Sequence, residues 1–89
     1  MPEVDLSPVV PVTARWVKLH YEIHPRKSGA QLIARLWSDT FLKDPTVIRG
    51  ESGDVFVKLN LPQKIFYQHP VTVTLKLKVT GYKDTQPPN

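Results

Sequence analysis

The sequence predicts an all-β domain, a small antiparallel β-sandwich or a partly open barrel of five to seven strands, and three observations carry that expectation. The stretch Val71 to Thr80, VTVTLKLKVT, alternates aliphatic with Thr or Lys at every step. Such a pattern puts one side of a strand in a core and the other in water, as antiparallel sheets permit. Other runs rich in β-branched and aromatic residues repeat the alternation at Val12 to His24 and at Asp54 to Leu61. The nine prolines and the clusters PRKSG and GESGD fall at the ends of the chain and between those runs, where strands need punctuation.

Met1 to Pro11 reads as a Pro-rich arm or an edge strand. Its residues Val4, Leu6, Val9 and Val10 are available to dock on this domain or on a neighbour's. In Val12 to His24, Val17, Leu19, Tyr21 and Ile23 share the inward face, and Lys18, His20, Glu22 and His24 the outward one. Before Val17 the phase changes, which calls for a β-bulge near Arg15 and Trp16 or for a second apolar surface under Trp16. Pro25 to Gly29 is a turn short enough for a hairpin into Ala30 to Ser38, where strand is favoured over a short uncapped helix.

Phe41 and Leu42 are expected to fold back as a plug, and Thr46 to Arg49 to form a short strand before the turn at Gly50 to Asp54. Val55, Val57, Leu59 and Leu61 point inward along the next strand. Pro62 to Pro70 is a crossover loop bearing Ile65, Phe66 and Tyr67, and the last strand, 71–80, follows. The division is then an arm at 1–11, one β domain at 12–82 and a polar tail at 83–89. Long second and last strands that would run the full height of a sandwich make the architecture similar to the immunoglobulin-like class. The resemblance implies a fold and no activity.

A chain of 89 residues makes one domain with a modest core. It contains no cysteine, so disulfides and thiolate chemistry are excluded. The start lacks a basic region followed by an apolar core, and no apolar run nears the roughly 20 residues of a membrane span. A cytoplasmic address, or the interior of an assembled particle, with no membrane partner, is the expectation. The net charge of +4 permits nucleic acid as a partner, although the cations are spread along the chain.

No catalytic residues are predicted, because the serines lie in the lead-in or turns and the carboxylates on exposed faces. No cofactor is expected. Metal binding has only weak candidates in His20, Glu22 and His24, on one face of a strand, with His69 if its loop lies beside them. A nucleic-acid face would use Lys18, Lys58, Lys76 and Lys78, with Trp16, Trp37 and Phe56 as stacking candidates. The function favoured is a non-enzymatic protein-interaction or structural-assembly module, a small subunit of a larger complex or particle that binds itself or other proteins. The alternative is a nucleic-acid-binding β domain with an outward basic face.

Overall fold

A computed structural model of the chain describes residues 2–41 and 43–84. Seven strands are present among the described residues: β1 (Glu3–Asp5), β2 (Trp16–Pro25), β3 (Ile33–Trp37), β4 (Thr46–Arg49), β5 (Ser52–Lys58), β6 (Lys64–Gln68) and β7 (Val73–Lys83). They form a four-stranded sheet in the order β1-β6-β3-β4 and a three-stranded sheet in the order β5-β2-β7, every pairing antiparallel. The two sheets pack face to face and do not close into a barrel. The strand count per sheet is that of the immunoglobulin-like class, but the order 1-6-3-4 differs from the 1-2-5-4 of that topology.

The alternation read from β2 holds. Val17, Leu19, Tyr21 and Ile23 are buried, and they meet Leu36, Ile48 and Ile65 from the facing sheet in one core cluster. Each such side chain contributes roughly 1.5–3 kcal/mol by leaving water. Residues 30–38 do contain a strand, β3, with Ala34 and Leu36 inward.

One option left open for the lead-in is decided, and several expectations change. Leu6 and Val10 are core residues, Val4 is half-buried against the core and Val9 is exposed, so the lead-in docks on its own domain. The turn at Pro25–Gly29 does not make a hairpin: β2 pairs with β5 and β7 while β3 belongs to the other sheet. The chain therefore crosses between layers there. Phe41 is 77 % exposed and plugs nothing, while Leu42 lies outside the described residues.

Within Pro62–Pro70 the chain forms a strand and not a loop. Gln63 turns it with a positive φ of 58°, and β6 then runs between β1 and β3. Val71 is 86 % exposed because a turn, closed by Val73 N–H donating to the Pro70 carbonyl at 3.3 Å, precedes β7. Leu61, past the end of β5, is also exposed. The bulge lies in β7 and not near Arg15: Lys18 pairs with Gly81 and Leu19 with Val79, leaving Thr80 as the extra residue. Its hydroxyl donates to the Lys18 carbonyl at 3.3 Å. Lys83, the first residue assigned to the polar tail, is the last residue of β7, and residues 85–89 lie outside the described ones.

Candidate functional site

The outward face of the three-stranded sheet is built by register. Across it run the rows Lys58–Trp16–Lys83, Phe56–Lys18–Gly81, Asp54–His20–Lys78 and Ser52–Glu22–Lys76. Lys18, Lys58, Lys76 and Lys78 therefore do share one face, joined by Lys83. Trp16 and Phe56 lie among them, and the Nζ atoms of Lys18 and Lys83 each stand 6.0 Å from the centre of the Phe56 ring. Trp37 does not belong to this face. It is 5 % exposed on the outer side of the other sheet, opposite Phe66 in the β3–β6 register.

Beside Trp16 a cleft of about 660 Å³ is lined by Trp16, Phe41 and Phe56 together with Lys43, Lys58, Asp39 and Asp44. The indole Nε1 atoms of Trp16 and Trp37 are buried with no hydrogen-bond partner among the described residues.

The three weak metal candidates on β2 stand as a line of pairs. His20 Nδ1 is 3.1 Å from Asp54 Oδ1, His20 Nε2 is 4.0 Å from Glu22 Oε2, and His24 Nε2 is 3.0 Å from Glu22 Oε1. Among the described residues no group of three or more His, Cys, Asp or Glu is placed to hold a metal ion. His69 is engaged elsewhere, stacked on Tyr67 with its Nδ1 2.8 Å from the Pro70 carbonyl oxygen.

The second feature is an edge. Among the described residues, β7 pairs with β2 on one flank and ends its sheet on the other. Arg26 N–H donates to the Thr72 carbonyl at 2.7 Å, so the antiparallel alternation turns the backbone groups of Thr74, Lys76 and Lys78 toward β2. Those of Leu75, Leu77 and Val79 point off the free edge. Their side chains lie on the inward face but are only half-buried.

At the end of the other sheet, β1 has a free edge of its own. Tyr67 N–H donates to the Pro2 carbonyl at 3.2 Å and Leu6 N–H to the Gln63 carbonyl at 2.8 Å. Val4 therefore faces β6, and the backbone groups of Glu3 and Asp5 face outward. The Glu3 carboxylate is 3.8 Å from Lys64 Nζ. The Asp5 carboxyl is held below its ordinary value by the Ser7 backbone N–H, then by the Ser7 hydroxyl and the charge of Lys64.

Single-sequence reasoning missed the two free edges, because which strands end a sheet is a property of strand order. It missed Lys83 as well, although the alternation of β7 continues through GYK once one bulge residue is allowed. No helix among the described residues is long and apolar enough to cross a membrane. Comparison with protein-family models, with curated proteins and with solved structures returned no match for this chain.

Proposed function

We propose that the protein is a non-enzymatic interaction or assembly module that docks an extended segment of a protein partner along the free edge of β7. A single observation supports this most: three consecutive odd positions, Leu75, Leu77 and Val79, leave both their backbone groups and part of their aliphatic surface without a neighbour strand among the described residues. Strand addition satisfies both at once, the backbone by hydrogen bonds and the side chains by a second apolar row. Lys76 and Lys78 stand between those positions on the outer face, which selects for a partner strand alternating acidic and aliphatic residues. The setting proposed with it is the interior of a cell or of an assembled particle.

The test is amide hydrogen exchange with a synthetic extended peptide of alternating Glu or Asp and Val or Leu. Binding is expected to slow exchange at Leu75, Leu77 and Val79 and to leave Lys76 and Lys78 as slow as they already were. The double variant Lys76→Glu, Lys78→Glu is expected to lose that protection. Equal protection in the variant, or none in the wild type, removes the edge from the reading.

A second reading is favoured by Lys18, Lys58, Lys76, Lys78 and Lys83 sharing one face with Trp16 and Phe56, with Lys18 and Lys83 beside the Phe56 ring. Such a face suits single-stranded nucleic acid, with rings stacking bases and ammonium groups meeting phosphates. Affinity for a random oligonucleotide would then fall steeply with salt, and Phe56→Ala would cost about 1–3 kcal/mol. Affinity indifferent to both changes excludes this use of the face.

A further inference from the structure

The reading of β7 as a docking edge, on which this inference rests, does not name the occupant, and the charges on the two free edges do. β7 is a poor partner for itself. Antiparallel pairing of two copies centred on Lys76, Leu77 or Lys78 sets lysine directly across from lysine, which destabilises a strand pair. The free edge of β1 is the reverse in charge, with Glu3 and Asp5 outward and Val4 inward.

The direction of pairing follows from which backbone groups are free. Glu3 and Asp5 on β1, and Leu75, Leu77 and Val79 on β7, offer theirs. Antiparallel, hydrogen-bonded residues stand opposite each other with side chains on the same face, so the acids of β1 would be set against the aliphatic row of β7. Parallel, a residue bonds to the two neighbours of the one it faces. Glu3 then bonds to Leu75 and Leu77 while its side chain meets Lys76, and Asp5 bonds to Leu77 and Val79 while its side chain meets Lys78. Val4 lands beside Leu77.

We propose that the free edge of β1 in one chain pairs in parallel with the free edge of β7 in a second copy, in the register Glu3–Lys76, Val4–Leu77, Asp5–Lys78. The contact supplies four backbone hydrogen bonds, two carboxylate–ammonium pairs on the outer face and an aliphatic pair on the inner. Each chain carries one of each edge, so the junction is head-to-tail and builds either a closed pair or ring or an open chain of copies. Three residues make a short junction, so the association is weak and depends on concentration and salt.

Sedimentation velocity of the full chain at low salt, over a wide concentration range, tests it. The wild type is expected to grow with concentration. Glu3→Lys with Asp5→Lys, and separately Lys76→Glu with Lys78→Glu, should each weaken association about ten-fold or more. An equimolar mixture of the two variants should restore it, because the two reversed edges match each other and so do the two that were left unchanged. Circular dichroism checks that each variant is folded. Should the lysine reversal at β1 unfold the chain, Glu3→Gln with Asp5→Asn reads the same junction, since the side-chain amide oxygen it places there still accepts from the Ser7 backbone N–H.

Association untouched by either reversal, or folded variants whose mixture stays apart, overturns the proposal. A wild type that is monomeric throughout also overturns it. If that monomer still protects Leu75, Leu77 and Val79 when the acidic–aliphatic peptide is added, only the second copy falls as occupant. If it protects nothing, the docking edge falls too.

Discussion

Tyr21 is buried and its hydroxyl donates to the Arg49 carbonyl at 2.9 Å, tying the central strand of one sheet to the last strand of the other. Its ring needs the space over its cross-strand partner, Gly53. A Cβ added there would lie 2.6 Å from the Tyr21 hydroxyl oxygen and 2.8 Å from Cζ, so the ring would have to move and the hydrogen bond with it. Gly53→Ala is therefore expected to destabilise the fold by about 1–3 kcal/mol, read by chemical denaturation. Tyr21 was legible as an inward residue from its place in VKLHYEIH. Gly53 was not, because a glycine between Ser52 and Asp54 has the composition of a turn and its role appears only once β5 is in register with β2. Phe41 misled for a related reason: an aromatic ring in a loop reads as a plug, whereas the core is already filled by Leu6 and Val10 from the other end of the chain.

Two elements were harder to read than the rest, and both belong to the four-stranded sheet. β6 buries Ile65 toward the core and Phe66 on the opposite side across from Trp37, so the outward face that carries the exposed Lys64 and Gln68 is interrupted by an apolar ring and the alternation is broken. Bounded by prolines, it reads as a loop. β1 looks like a detachable arm in composition, yet Leu6 just beyond it is 1 % exposed and its amide is bonded to Gln63. Leu6→Ala is expected to cost about 2–5 kcal/mol by opening a core cavity, measured as a shift in the denaturation midpoint. A variant that lost association with no loss of stability would place Leu6 outside the core. β4 was legible as a short run between turns and β3 as the favoured strand within 30–38, while β2, β5 and β7, with one dry and one wet side, were legible by alternation. Their ends were less so, because Val71 and Leu61 continue the pattern after the backbone has turned away.

At the scale of the molecule, composition and periodicity were enough for a two-layer all-β domain, and could not supply strand order. The candidate face was partly legible for the same reason. Lys18, Lys58, Lys76 and Lys78 follow as outward from parity alone, but the placing of Lys18 and Lys83 beside Phe56 and the exclusion of Trp37 depend on which sheet each strand joins. The free edges follow from order too, and with them the whole case for docking. The bulge at Thr80 then acquires a meaning beyond local twist. It reverses the parity of β7, so that Tyr82 and no longer an odd residue stands on the inner face opposite Val17. A strand laid along this edge stays in phase only from Val73 to Val79, a distance of about 20 Å at ~3.3 Å per residue step. Under the docking proposal, anything longer would have to carry a matching bulge or stop, so Thr80 would act as a ruler for the length of segment laid there.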